Sequence, residues 1–65
     1  MRITVNDEPH DVAATTLASV LEELGYGDSR VATALNGTFI PASQRDNVTL
    51  SEGAALEVLA PMQGG

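Results

Sequence analysis

The chain has 65 residues, with nine acids against three arginines, no lysine and a net charge of −6. That length supports one small domain, and the lack of a basic surface excludes nucleic acid and anionic membrane as partners. Cysteine is absent and His10 is the single histidine, so no disulfide framework is available and a zinc site would need carboxylates nearly alone. An apolar content of 43% is that of a folded domain rather than a disordered one. The acid excess suits a protein partner with a basic docking face, or serves solubility alone. The chain lacks an apolar run of about 18 residues and a basic-then-apolar leader, so a cytoplasmic protein is expected.

Met1-Arg2-Ile3-Thr4-Val5 alternates apolar and polar, the period of a half-buried strand. Asn6-Asp7-Glu8 reads as an Asx turn. Pro9 to Val12 follows as a short second strand whose proline suits an edge. Thr16 is the expected N-cap of a helix. Leu17, Val20, Leu21 and Leu24 mark its apolar stripe, Glu22 and Glu23 point to water, and Gly25 ends it. Tyr26 to Arg30 is connecting loop.

Val31 to Leu35 resumes alternation, and Asn36-Gly37 is a strong hairpin signal before the short strand Thr38-Phe39-Ile40. Ala42 to Asn47 reads as a turn or a short 3₁₀ piece. Val48 and Leu50 return to the core, and Ser51-Glu52-Gly53 turns the chain. The last strand, Ala55 to Leu59, carries Leu56 and Val58 inward and Glu57 and Leu59 outward. Two hairpin-like units flank one helix, whose stripe can be buried only against a sheet face. The economical packing places the first and last strands parallel and adjacent at the centre. The fold class is α+β, a β-grasp roll: a mixed four- to five-stranded sheet with one main helix across one face. Residues 1–60 form the domain and 61–65 a flexible C-terminal tail, Pro61-Met62-Gln63-Gly64-Gly65.

The order of elements, the Leu17–Leu24 helix and the carboxyl-terminal Gly64-Gly65 resemble ubiquitin-like proteins over nearly the whole chain. Ala34-Leu35-Asn36-Gly37, Ile40-Pro41 and Leu50-Ser51-Glu52-Gly53 are similar to segments of the ThiS family, the sulfur carriers of thiamine biosynthesis. Ala54 stands where that family usually has the second acid of an Asp-Gly-Asp turn, and Gln44-Arg45 where an aromatic is often found. The resemblance implies a co-substrate without an active site of its own. The Gly65 carboxylate would be adenylated by a ThiF-like activating enzyme using ATP with Mg. A sulfur donor protein would supply the sulfur that replaces AMP. The resulting thiocarboxylate would pass its sulfur to a ThiG-like thiazole synthase. The free chain is expected to be a monomer that binds no cofactor or metal itself.

The residues fit that chemistry. A carboxylate is a poor electrophile until it gains a leaving group, and it must reach the α-phosphate of ATP inside an enclosed site. Gly64 and Gly65 offer no side chain to obstruct the approach. Five extended residues span about 17 Å at about 3.3 Å each. Pro61 stiffens the tail's root, while Met62 and Gln63 either lie along a channel wall or act as a spacer. Ala34, Phe39 and Leu59 are expected on the outward sheet face as a protein-binding patch, or as scattered surface residues, with Glu57 facing a basic residue of the partner. Arg2, Arg30 and Arg45 read as solvated charges. His10 on the edge strand has no nucleophile–base–orienter set around it. Three rival functions share these features: a molybdopterin-type carrier, disfavoured by the short loops here; a ubiquitin-like modifier; and an interaction module whose Gly-Gly is incidental.

Overall fold

A computed structural model of the protein describes residues 1–27 and 30–60. Five strands and one helix run in the order β1 (Arg2–Val5), β2 (Glu8–Asp11), α1 (Leu17–Glu23), β3 (Ala32–Leu35), β4 (Thr38–Ile40) and β5 (Ala55–Leu59), with a 3₁₀ segment, Ala42–Asn47, before β5. The strands form one sheet in the order β2-β1-β5-β3-β4. β1 and β5 are parallel, and every other neighbour is antiparallel. The expected mixed sheet with its parallel central pair is present, with five strands.

Alternation decides which side chains go inward. Ile3, Val5, Leu56 and Val58 are buried on one face, where Leu17, Val20 and Leu21 of the helix stripe meet them, joined by Val12, Leu50 and Ala54. Thr16 caps α1, its hydroxyl accepting from the Ser19 N–H. At the other end Gly25 adopts φ +95°. The Gly25 N–H donates to the Glu22 carbonyl and the Tyr26 N–H to the Leu21 carbonyl, the paired bonds of a Schellman stop. A helix of seven residues is too short to persist alone. It is held from outside by the Leu17 N–H on the Val48 carbonyl and the Leu50 N–H on the Thr15 carbonyl, each 2.8 Å.

Pro9 sits where the ladder does not need it. The Thr4 N–H donates to Ala54 on the β5 side, so the Thr4–Pro9 pair is one of the non-hydrogen-bonded pairs of the antiparallel ladder, and the missing donor faces outward. The Asn36-Gly37 turn behaves as read, with φ of +51° and +86° closing a two-residue hairpin between Leu35 and Thr38.

Three expectations are corrected. Asn6-Asp7 is no Asx turn but a two-residue hairpin loop with φ of +52° and +71°. The Asn6 amide reaches β5 instead, donating to the Val58 carbonyl at 3.0 Å and accepting the Val58 N–H at 2.9 Å. Glu23 does not simply point to water. Its carboxylate accepts the Ala13 and Ala14 N–H groups, and those bonds, Ala14's first, hold its pKa below the ordinary glutamate range. Arg45, finally, is half-buried and anchored, donating to the Val31 carbonyl at 2.6 Å and to the Thr33 hydroxyl at 3.3 Å. Thr33 can therefore occupy the core at 1% exposure, because its hydroxyl also donates to the Ile40 carbonyl.

Two outcomes follow. Asn6→Gly keeps the positive φ but removes both side-chain bonds. It is expected to cost about 1–2 kcal/mol in denaturant unfolding and to speed hydrogen exchange at the Val58 amide; an unchanged midpoint would remove Asn6 from that role. Glu23 has a lowered native pKa, so its contribution is complete above the ordinary glutamate range and disappears as pH falls from there through the native value. Glu23→Gln is therefore expected to lower Tm at pH 7 and to flatten the fall of Tm in acid, read by thermal scans at a series of pH values.

Candidate functional site

β5 is hydrogen-bonded on both sides, and its last residue is the point from which the chain leaves the sheet. At its start the Asn36 side chain accepts the Ala55 N–H at 2.9 Å, while the Asn36 N–H donates to the Ala55 carbonyl at 2.7 Å. At its end Asn6 grips Val58. The two hairpin turns thus fix opposite ends of the strand that precedes the tail. Pro61, Met62, Gln63, Gly64 and Gly65, on which the tail readings fall, lie outside the described residues.

Ala34, Phe39, Glu57 and Leu59 lie on the outward face of the sheet, as expected. Register places Glu57 opposite Ala34, Ala34 opposite Phe39, and Leu59 opposite Ala32, so these side chains project from the same face. Phe39 is 63% and Leu59 65% exposed, the large apolar side chains left in water among the described residues. Ala34 is half-buried between them, and Glu57 is exposed beside it. Asp11 and Arg2 occupy the far strands of that face, joined by a 2.6 Å bond. His10 is half-buried on the edge strand. Among the described residues no cluster of three or more His, Cys, Asp or Glu side chains is arranged to hold a metal, and no helix is long and apolar enough to cross a membrane.

Beside the end of β5 lies an open pocket of about 580 Å³, which no local sequence signal marks directly. Leu59 and Ala60 form one wall, Val31 and Ala32 another, and Arg30 and Arg45 supply its charge. It depends on Arg45 folding back onto β3 from the 3₁₀ segment. The one sequence clue was a threonine at an inward position of β3.

The ThiS family model matches residues 3–65. The chain belongs to the ThiS family. Within its range of similarity are the sulfur carrier protein ThiS of Thermus thermophilus, 36% identical over 63 residues that cover 97% of this chain and 98% of that one, and a thiazole synthase of Paramagnetospirillum magneticum, 32% identical over 66 residues. The chain spans only 20% of the length of that thiazole synthase, so a ThiS-like segment is there part of a longer protein. The crystal structure of a thiamine biosynthesis protein (ThiS) from Geobacter metallireducens superposes with a TM-score of 0.85 at 30% identity, covering 100% of both chains. An NMR solution structure of a thiamine biosynthesis protein from the same organism gives 0.79 at 30% identity, over all of this chain and 88% of that one. The β-grasp architecture of this ThiS-family chain is thus shared with proteins of known structure along its whole length.

The exposed patch and the core separate cleanly in stability. Leu56→Ala, at 1% exposure, is expected to cost about 2–5 kcal/mol, enough to threaten a domain this small. Phe39→Ser and Leu59→Ser should shift stability by no more than about 0.5 kcal/mol. Chemical denaturation of the three variants checks the contrast, and a large loss at Leu59 would mean that it packs rather than presents itself.

Proposed function

We propose that this chain carries sulfur as a thiocarboxylate on Gly65 and delivers it to thiazole formation. Membership of the ThiS family makes it a sulfur carrier of thiamine biosynthesis; the steps through Gly65 are the finer reading. The carboxylate attacks the α-phosphorus of ATP in a ThiF-like activating enzyme, and pyrophosphate leaves. Sulfur at the sulfide oxidation level, released by a donor protein, then attacks the acyl carbon and AMP leaves. The C–O bond to phosphate breaks as the C–S bond forms, without redox change at that carbon. Mg accompanies ATP in the activating enzyme and need not bind this chain.

The observation that carries this reading is the family match over residues 3–65, which runs through Gly65, joined to a body that clamps β5 at both ends. A rigid body fixes where the tail starts, so the entropy of aligning the acyl group falls mainly on five residues. Gly64 and Gly65 lack the Cβ that would crowd an enclosed site. Pro61, Met62 and Gln63 connect them to the body. Phe39, Leu59, Ala34 and Glu57 supply the docking face. Apart from the Gly65 carboxylate that is itself the group transformed, the chain contributes no catalytic side chain and acts as a co-substrate. The ThiS-like segment within a thiazole synthase supports the acceptor being a ThiG-like synthase, since covalent linkage would keep donor and acceptor at high effective concentration.

Incubation with ATP, a sulfur source and the activating enzyme of the same genome is expected to raise the intact mass by about 16 Da, sulfur for oxygen. The chain shortened by Gly65 should keep its Tm, because terminal residues add little to stability, and should show no mass gain. Thiocarboxylation of the shortened chain would refute the assignment of Gly65.

A further inference from the structure

The pocket beside the end of β5 has a charge opposite to that of the molecule. The chain carries nine acids and three arginines, yet two of those arginines, Arg30 and Arg45, line this one pocket, and no acid is among its described lining. The third, Arg2, is committed to Asp11 at the opposite end of the sheet, where its carbonyl accepts the Gly53 N–H ahead of β5.

Arg45 is set rigidly. Its Nε and one terminal nitrogen are engaged with Thr33 and Val31. A guanidinium has five N–H donors, so others remain for a ligand, in a geometry suited to a carboxylate. Arg30 is exposed at the mouth. The remaining lining is apolar, from Val31, Ala32, Ala42, Leu59 and Ala60. An apolar cup with a cationic rim fits a side chain that is itself aliphatic and acidic.

We propose that the pocket receives an acidic segment of the activating enzyme, with a carboxylate on Arg30 and Arg45 and an aliphatic neighbour against Leu59 and Ala60. The proposal rests on the carrier reading, since it assigns the pocket to the protein that takes up the tail. Position favours this occupant. Ala60 is a wall of the pocket and the last residue before the tail, so an enzyme enclosing residues 61–65 must also cover the pocket. Leu59 is shared with the outward patch, which makes the two surfaces one continuous interface. Its charges alternate, Glu57 on the sheet face and the arginines at the tail's root. Such a pattern fixes orientation and rejects partners of the wrong polarity.

The test uses the full chain and the activating enzyme of the same genome, with ATP–pyrophosphate exchange as the readout. Arg30→Glu is expected to raise KM for the carrier about tenfold with kcat little changed, because a rim charge governs encounter rather than chemistry. Raising NaCl should weaken the wild-type chain more than the variant. Arg30→Lys should restore KM to within about threefold, as it keeps the charge. Arg2→Glu changes net charge equally at the distant end and should leave KM near wild type. Tm values well above the assay temperature confirm that the variants are folded. If Arg30→Glu matches wild type in KM and salt dependence, or binds more tightly, the acidic contact is overturned while the carrier reading stands. If the wild-type chain itself supports no exchange, the carrier reading fails and takes this proposal with it.

Discussion

The grip of Asn6 on Val58 is the contact on which the end of β5 depends. The parallel ladder between β1 and β5 is short, pairing Thr4 with Ala55 and Val5 with Leu56. After Val5 the chain turns away into its hairpin, which would leave the end of β5 with a neighbour on one side only. The Asn6 amide replaces the missing strand, offering one donor and one acceptor in the spacing of a peptide group. Bonds of this kind gain little in total energy over water. Their value here is that they span 52 positions in sequence and tie the first turn to the last strand.

One strand then serves both the core and the outer surface. Leu56 and Val58 close the core against the helix, while Glu57 and Leu59 face outward. Because successive side chains alternate across a strand, a one-residue slip of β5 would exchange the two sets. The asparagine clamps and the buried pair resist that slip together. The position of the outward patch relative to the tail's root is therefore as well determined as the core itself.

Much of this was legible in the residue order. Alternation in β1 and β5, the Leu17–Leu21 stripe, the Thr16 cap, the Gly25 stop and the Asn36-Gly37 turn are local signals, each decided by neighbours within a few positions. Exposure of Phe39 and Leu59 followed from the same alternation. What escaped is non-local. Asn6 looks set to bond its own turn because nothing in its neighbourhood reveals Val58. Glu23 looks bound for water, since its partners, Ala13 and Ala14, precede the helix and meet it only once the loop has folded back. Arg45 reads as a solvated charge from its neighbours alone, and the pocket it lines with the exposed Arg30 exists only where β3, β5 and the 3₁₀ segment converge. An inward threonine at position 33 was the one available hint that a polar side chain waited nearby. The site resemblance through Gly64-Gly65 was visible at once, because it is a matter of residue identity.

The central placement of β5 also has a mechanical consequence. A pull applied to the end of β5 along its own axis would be met by the whole sheet. Bonds to β1, β3 and Asn6 run across that axis, so the load is shared by all of them at once in shear rather than opening them one by one. A terminal strand at the sheet's edge could be peeled; this one resists traction, and force applied at the end moves the domain as a unit.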